Sequence, residues 1–472
     1  MVFSSHIFLF YFLPLSLLLY YSTPRRVRNI MLTALSYVFY GWSNPLFCLL
    51  MLFSTTVDYV CGLIIGRAQS EQKGIRKGAL FVSITANLML LGFFKYSGFA
   101  LESYNQLFQI LGVQNFDPVP VLQFLLPLGI SFYTFQSMSY TIDVYRNDSK
   151  YISSFMDFAC FVSMFPQLVA GPIIRFKEIA EQLHCRSHTL EKFSRGAALF
   201  TLGMAKKVLL ANPCGKIADI TFSASSLSVL DSWFGVAAYS FQIYFDFSGY
   251  SDMAIGLGLM FGFVFAKNFD SPYLSSSITQ FWRRWHISLS TWLREYLYIP
   301  LGGNRAGSSL RTAVNIGIVM LLGGLWHGAS WNFVIWGGLH GAYLGVERVM
   351  GKRPIYDTCP KPLKIVFTFV LVMIAWVFFR ADSLGGAMSY LASMSGLSVV
   401  PETSLLVSGL IYTPYNLIAF AMAGLVVWFA PQSWDWSRTL GRAKILLIIM
   451  VFLVAVAVLS MQSYNPFIYF NF

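Results

Sequence analysis

The sequence predicts an all-α fold, namely a polytopic membrane helix bundle with about ten to twelve spans, re-entrant segments and an interfacial amphipathic helix. Of its 472 residues, 56% are apolar and 11% are charged, whereas soluble domains carry about 25% charged residues. Apolar runs of roughly 17 to 25 residues, long enough to cross the hydrocarbon core, recur from end to end. A transmembrane β-barrel would instead show short alternating segments.

The apolar runs are spread over the whole chain, which we treat as a single domain over residues 1–472. The first run, "HIFLFYFLPLSLLLYY", has neither a basic region before it nor a small-residue cleavage site after it, so it is expected to be retained. The two widest intervals exceed one perpendicular span and are expected to be paired or re-entrant. We expect spans near 5–22, 29–43, 46–66, 78–98, 121–142, 151–172, 195–212, 230–265, 312–350, 365–380, 412–431 and 443–461.

The net charge of +12 is concentrated in particular loops. By the positive-inside rule, loops rich in Lys and Arg are cytoplasmic. This places in the cytoplasm "PRRVRN", "RAQSEQKGIRK", "YRNDSK", "RFKEIAEQLHCRSHTLEKFSR", "GKRPIYDTCPKPLK" and "SRTLGRAK". Residues 100–119, 381–410 and 461–472 contain neither Lys nor Arg, and we place them outside together with both termini.

The six cysteines are scattered and show no CxxC pairing, which argues against a zinc site or a disulfide framework. Packing is their expected role. They are Cys48, Cys61, Cys160, Cys185, Cys214 and Cys359.

Residues 281–305, "FWRRWHISLSTWLREYLYIPLGGNR", have the pattern of an amphipathic helix. At about 100° per residue, an aromatic stripe opposes a basic face with His286 at its edge. The stripe holds Trp282, Trp285, Leu289, Trp292 and Tyr296, and the opposite face holds Arg283, Ser290 and Arg294. Such a helix suits the membrane interface, and its arginines suit phosphate groups. The alternative is a simple interfacial anchor.

Residues 313–346 contain no charged side chain, and this run is too long for one span of about 20 residues. It therefore needs a break, for which Gly323-Gly324 and Gly328, around His327, are the candidates. Irregular backbone at membrane depth must be buried or line a cavity, so His327 is expected to face a cavity. A hydrogen-bonded structural histidine is the alternative. His340 falls on a different face of any continuous helix.

A third polar cluster, "FQIYFDFSGYSDMAIG" at 241–256, lies in apolar surroundings. Its Asp246 could orient a histidine or a sugar hydroxyl, but we favour a role in pinning neighbouring helices.

Several catalytic motifs are absent from the sequence: the GxSxG elbow, the Walker A loop, HExxH and Cys–His metal spacings, and a His followed four positions on by Asp. No metal site is expected. What remains is imidazole in a membrane cavity. A neutral imidazole can act as general base, so acyl transfer from an activated thioester to a hydroxyl is possible without a covalent enzyme intermediate.

The segments "FWRRWHISLSTWLREYLYIPLGGNR" and "GGLWHGASWNFVIWGGLHG" resemble the membrane-bound O-acyltransferase family, in its bacterial branch that O-acetylates exported polysaccharides such as alginate. The resemblance includes "MVFSSHIFLFYFLPL", "PLGISFYTFQSMSYTIDVYR", "FPQLVAGPIIRF" and "QSYNPFIYF", and so covers nearly the whole chain.

The resemblance implies a catalytic role for His327, with His286 as the second polar residue of the active site. It implies a funnel or tunnel from the cytosolic side and, as donor, a cytosolic thioester, acetyl-CoA, with no permanently bound cofactor. The donor's phosphates would suit the arginines Arg283, Arg284, Arg294 and Arg305, with the ring of Trp285 beside them. The alternative for each of these arginines is a solvated or lipid-facing charge.

The resemblance further implies a bacterial inner membrane location and contact with membrane lipids. The acetyl group would pass to a periplasmic acetyltransferase partner or to the polysaccharide itself, and no nucleic acid is expected. Two alternatives stay open. One is acyl or D-alanyl transfer to peptidoglycan or teichoic acid, and the other is a non-enzymatic transporter of polymer or lipid.

Overall fold

The computed structural model describes residues 1–69, 71–112, 118–121, 125–305, 307–399 and 404–468. Within these residues all regular secondary structure is helical, as predicted. The contacts divide the chain into two compact units. The first unit comprises Met1–His188, Phe261–Val264 and Gly328–Ser330, and the second comprises Thr189–Met260, Phe265–His327 and Trp331–Phe472.

The first unit is built from apolar helices joined by short turns. Its helical segments are Phe8–Phe12, Leu13–Ser22, Arg25–Val27, Arg28–Gly41, Phe47–Arg67, Lys73–Leu91, Gly92–Tyr96, Ser97–Ile110, Ile130–Arg146, Phe155–Ser163, Phe165–Leu168 and Phe176–His184. A buried polar group holds three of them together. Asp58 accepts from Ser83 Oγ at 2.6 Å, from Asn87 Nδ2 at 2.8 Å and from Ser137 Oγ of the helix Ile130–Arg146. Its partners among the described residues are therefore neutral donors.

Two predicted spans of this unit are wrong in extent. The interval 151–172 holds two short helices that separate at Met164, and the longer one, Phe155–Ser163, has 9 residues. At 1.5 Å per residue that helix is about 14 Å long, which is too short for a membrane core of about 30 Å. The span expected at 121–142 begins at Ile130; its residues 122–124 lie outside the described residues.

The second unit contains the remaining helices. They are Leu190–Ala205, Lys206–Ala211, Asn212–Ser223, Val229–Met260, Pro272–Leu274, Ile278–Arg284, Ile287–Leu293, Arg294–Tyr298, Gly303–Arg305, Ser309–His327, Trp331–Val349, Lys361–Arg380, Leu384–Met394, Ser404–Ile411, Pro414–Phe429, Ser433–Trp436 and Arg442–Met461. The expectation of a paired or re-entrant segment at 230–265 is wrong, because Val229–Met260 is one helix of 32 residues.

The helix Val229–Met260 forms the centre of the second unit, and nearly all of its residues from Ala238 onward are buried. It packs backbone to backbone against the helix Leu190–Ala205. A Cβ on Gly203 would lie 2.4 Å from the carbonyl oxygen of Gly249, and one on Gly196 would lie 2.5 Å from that of Gly256. Small residues thus allow the close helix approach that is typical of membrane bundles.

In the part of the chain that the structure describes, five helices are long and apolar enough to cross a membrane: Phe47–Arg67, Lys73–Ile110, Ser309–His327, Lys361–Arg380 and Arg442–Met461. The pair Leu405–Ile411 and Pro414–Phe429, bent by 63°, would add a sixth. The chain is therefore a membrane protein in composition and architecture. The expected count of ten to twelve spans is higher than this, since it also includes shorter and more polar helices.

The break predicted in the uncharged run 313–346 is confirmed. One helix ends at His327, the next begins at Trp331, and we call Ser309–His327 with Trp331–Val349 the histidine hairpin. Of the predicted break positions, Gly328 lies in the break, whereas Gly323 and Gly324 lie inside the first helix. A Cβ on Gly324 would lie 2.2 Å from the carbonyl oxygen of Phe333, so this glycine serves the close crossing of the two helices.

Candidate active site

His327 is the last residue of the first helix of the histidine hairpin, and it is 4% exposed. Its imidazole is surrounded by aromatic rings. The ring centroids of Trp326, Trp336 and Phe379 lie 5.0, 5.1 and 5.2 Å away, each in an edge-to-face arrangement. The helix end thus places the imidazole of His327 in an apolar, aromatic environment.

His286 lies at a second break, between the short helices Ile278–Arg284 and Ile287–Leu293. The single amphipathic helix predicted over 281–305 is therefore wrong. His286 adopts the left-handed conformation, with φ +43° and ψ +57°, which is uncommon for a residue with a Cβ. Strained backbone of this kind persists where the surroundings fix it, and His286 is fully buried.

Asn268 holds the break at His286. Its backbone carbonyl accepts from Ile287 N at 2.9 Å, while its side-chain Oδ1 accepts from Ser288 N at 3.1 Å and from Ser288 Oγ at 2.9 Å. The same Oδ1 lies 3.2 Å from His286 Nδ1. Asn268 was not among the residues selected from the sequence, because it lies 18 positions before the histidine that it contacts.

The contacts of Asn268 assign the tautomer of His286. A backbone N–H is an obligatory donor, so the amide atom that faces Ser288 N is the oxygen. His286 Nδ1 lies 3.2 Å from this oxygen and 3.3 Å from Ser288 Oγ, whose own proton goes to the same oxygen, and we therefore assign the ring proton to Nδ1. The lone pair then belongs to Nε2, which has no hydrogen-bond partner among the described residues. Burial lowers the pKa of His286 to about 3, so the ring is neutral at pH 7.

The two histidines predicted as catalytic are brought to one place by Trp326. The Trp326 ring centroid lies 5.0 Å from that of His327 and 6.2 Å from that of His286.

The second helix of the histidine hairpin adds His340, whose ring lies 4.9 Å from that of Trp336 and whose Nδ1 accepts from Trp282 Nε1 at 3.3 Å. His340 was not predicted as a site residue, although its spacing of four from Trp336 indicates a shared helix face.

Trp285 and the rest of the aromatic stripe face the interior of the second unit. Trp285 is 2% exposed, and its ring lies 5.1 Å from Phe269, 5.2 Å from Trp376 and 5.5 Å from Phe281. Leu289, Trp292 and Tyr296 are buried as well. The stripe was expected to face the membrane interface, and this expectation is wrong because the broken helix packs into the protein.

The arginines predicted to hold phosphates lie on the outer side of the same segment. Arg283, Arg294 and Arg305 are exposed, and Arg284 is half-buried with its Nη1 3.4 Å from the carbonyl oxygen of Ser271. A cavity of about 240 Å³ adjoins the site. It is lined by Trp282, Ser290, Leu293, Arg294, Tyr298, Ile316, Val319, Met320 and Leu344.

Asp246 does not contact a histidine. Its Oδ1 pairs with Lys207 Nζ at 2.7 Å, and its Oδ2 accepts from Ile468 N at 2.8 Å. The expectation that Asp246 holds neighbouring segments together is confirmed, because it connects the Val229–Met260 helix to the C-terminal segment.

All six cysteines carry free thiols.

Two buried imidazoles thus lie at two helix breaks inside an apolar helical protein. The family model of membrane-bound O-acyltransferases matches residues 133–381, and the chain belongs to this family of acyltransferase enzymes. The matched residues include both breaks.

Curated relatives match this chain over its full length. It is 44% identical to the probable alginate O-acetylase AlgI of Pseudomonas putida and 44% identical to that of Azotobacter vinelandii, with the whole of each chain aligned. It is 34% identical to the peptidoglycan O-acetyltransferase of Helicobacter pylori, over 100% of this chain and 98% of the relative.

Proposed function

We propose that this protein is a membrane O-acetyltransferase that moves an acetyl group from acetyl-CoA towards an exported polysaccharide such as alginate. The observation that carries the proposal is the pair of buried imidazoles at the two helix breaks of a membrane-bound O-acyltransferase. The names of the relatives that are 44% identical over the full length support the substrate class.

In the proposed reaction His327 is the general base. It takes the proton of the acceptor hydroxyl while that oxygen attacks the thioester carbonyl carbon. The C–S bond then breaks, the acetyl group stays on the acceptor oxygen, and the proton passes to the leaving thiolate. A positioned base contributes about 10²- to 10⁴-fold to such a step.

His286 is proposed to assist His327 as a second neutral acceptor. The hydrogen bond from its Nδ1 to Asn268 directs the lone pair of Nε2 away from the Asn268 side chain. That lone pair suits an incoming hydroxyl donor, because Nε2 has no partner among the described residues. His340 is more remote in its contacts, since it accepts from Trp282, and we assign it a role in positioning that ring.

The donor is proposed to approach from the cytoplasm through a funnel or tunnel. Its phosphates would contact Arg283, Arg284, Arg294 and Arg305, and the buried ring of Trp285 would lie on the protein side of these arginines. The exposure of three of these arginines and the 240 Å³ cavity beside Arg294 support this assignment. The adenosine and phosphates would then stay near water while the acyl end approaches the apolar histidine site.

The whole chain, residues 1–472, is proposed to act as a single membrane domain of the bacterial inner membrane. On this proposal about ten to twelve spans cross the lipid bilayer, and both termini face the periplasm. The acetyl group leaves on that side, either to a periplasmic acetyltransferase partner or directly to the polysaccharide. Peptidoglycan is the second candidate acceptor, and the Helicobacter relative favours it at 34% identity.

The test is to replace His327 by Asn in cells that make the exported polymer. We expect the protein to remain at its normal level in the membrane while the O-acetyl content of the polymer falls to background. His184→Asn is the matched control, because His184 is exposed at the end of a helix in the first unit. A His327→Asn variant with full polymer acetylation contradicts the enzyme assignment, and acetyl loss from peptidoglycan alone selects the second acceptor.

A further inference from the structure

A second cluster of polar side chains lies in the first unit, and the proposed acyl transfer does not use it. Arg28 begins the helix Arg28–Gly41, while Arg186 and His188 follow the helix Phe176–His184. These residues belong to two basic loops that the positive-inside rule assigns to the cytoplasm. The two loops meet here, which agrees with their assignment to one side of the membrane.

The hydroxyl of Tyr20 is the centre of this cluster. Tyr20 is fully buried, and its OH donates to the carbonyl oxygen of Phe261 at 2.8 Å and accepts from Arg186 Nε at 2.9 Å. His188 Nε2 lies 2.9 Å from the same oxygen. Because the tyrosine proton goes to Phe261, His188 donates through Nε2. Arg28 Nη1 lies 3.4 Å from both Nδ1 and Nε2 of this ring.

The cluster is positively charged. Neither Arg28 nor Arg186 forms an ion pair with a carboxylate among the described residues. Asp157 reaches Arg186 through Asn29, whose Nδ2 donates to Asp157 Oδ1 at 2.5 Å and whose Oδ1 accepts from Arg186 Nη1 at 2.8 Å. Burial, followed by the charges of Arg28 and Arg186, lowers the pKa of His188 to about 4.

The cluster is open to solvent at its edge. Arg28, Arg186 and His188 are half-buried, and Arg25 in the neighbouring turn is exposed. Gly262 borders the imidazole with φ +87°, and a Cβ at this position would lie 2.8 Å from His188 Nε2. Glycine therefore leaves room beside a histidine that larger residues would displace.

We propose that Arg28, Arg186 and His188 form a binding site for a phosphate ester. Guanidinium groups bind phosphate through paired, charge-assisted hydrogen bonds, and partly buried cations without carboxylate partners gain most from such an anion. The phosphate belongs either to a nucleotide thioester or to the headgroup of an anionic phospholipid. This site goes beyond the proposed acyl transfer and does not depend on it.

The test uses the full chain in phosphatidylcholine nanodiscs with isotope-labelled histidine, and His188 is assigned through its loss in His188→Gln. One arm adds coenzyme A, and the other arm replaces part of the lipid by phosphatidylglycerol. In at least one arm we expect a saturable shift of the His188 resonance and a higher pKa for this group, because the anion offsets both guanidinium charges.

Arg28→Gln separates a built site from general surface charge. We expect it to weaken the response at least tenfold, while Arg26→Gln, which removes an exposed arginine two positions away, changes it less than twofold. A response to coenzyme A alone identifies a nucleotide site, and a response to phosphatidylglycerol alone identifies a lipid site. The proposal is overturned if neither ligand acts, or if both arginine variants lose affinity equally.

Discussion

Asn268→Ala tests whether the geometry at His286 matters for catalysis. The change removes the oxygen that accepts from Ser288 N, Ser288 Oγ and His286 Nδ1 at 3.1, 2.9 and 3.2 Å. The imidazole then loses the contact that selects its tautomer and orientation. Asn268 is 1% exposed, so water does not easily replace the lost oxygen.

The size of the effect follows from these contacts. An unsatisfied buried polar group costs about 1–3 kcal/mol. If that cost falls on the competent orientation of His286, turnover decreases by roughly 5- to 150-fold, since about 1.4 kcal/mol corresponds to a factor of ten. The loss is expected in kcat more than in KM, because the contacts of Asn268 among the described residues do not include the arginines proposed to bind the donor.

The assay is the release of free thiol from acetyl-CoA by the purified protein in nanodiscs, together with the acetyl content of the exported polymer. Ser288→Ala is the comparison variant, because it removes a hydroxyl that lies 3.3 Å from His286 Nδ1 but leaves Asn268 Oδ1 facing the ring, so a smaller loss is expected. Asn268→Asp keeps the acceptor and adds a negative charge, which favours the imidazolium. In that variant the acid limb of kcat/KM should therefore move to higher pH.

This reasoning fails if Asn268→Ala keeps a kcat within twofold of the parent, or if Ser288→Ala loses as much activity as Asn268→Ala. It also fails if Asn268→Asp leaves the pH profile in place, since Asn268 would then only support the fold.

Three further predictions concern stability and pH. Gly337→Ala should destabilise the histidine hairpin by about 1–3 kcal/mol, because a Cβ at this position would lie 2.4 Å from the carbonyl oxygen of Met320. Gly338→Ala should be tolerated, because its Cβ would lie 3.7 Å from the nearest atom. Thermal unfolding in nanodiscs measures both variants. Glu347→Ala should lower kcat and stability more than Glu347→Gln, because both carboxylate oxygens accept backbone N–H groups at 2.8 and 2.9 Å at the start of the helix Ile278–Arg284. The pKa of His188 is lowered from its ordinary 6.5 to about 4. Because the unfolded chain binds more protons between these two pH values, the stability of the protein should fall as the pH falls through this range. His188→Gln should reduce this pH dependence of stability.

The break at His327 could be predicted from the sequence because the length of the uncharged run alone requires it. A run of 34 uncharged residues exceeds the length of a single span, and glycines mark where a helix is weakest. The same argument misplaced Gly323 and Gly324. Glycine also permits close helix contact, and a single sequence does not distinguish the two uses.

The break at His286 could not be predicted, because the aromatic spacing fits a continuous helix on both sides of it. The residues that decide the backbone there come from elsewhere in the chain. Asn268 accepts from the residues that follow the break, and Glu347 fixes the start of the helix that precedes it. These are tertiary contacts that override local periodicity.

His340 was missed for a related reason. The rotation of 100° per residue that separates it from His327 holds only along one continuous helix. Once the chain turns between His327 and Trp331, the two helices pack side by side and Trp336 touches both imidazoles. The break was predicted correctly, but a rotation along a single helix does not show that the break brings His340 close to Trp336 and His327.

The aromatic walls place a condition on the proposed reaction. The imidazolium that proton abstraction would form at His327 loses hydration, and a contact with the rings of Trp326 and Trp336 replaces it only in part, by about 2 kcal/mol for a desolvated cation. The charged state of His327 is therefore short-lived unless an anion forms beside it. In the proposed reaction the departing thiolate is such an anion, so the apolar surroundings of His327 would couple its proton uptake to cleavage of the C–S bond.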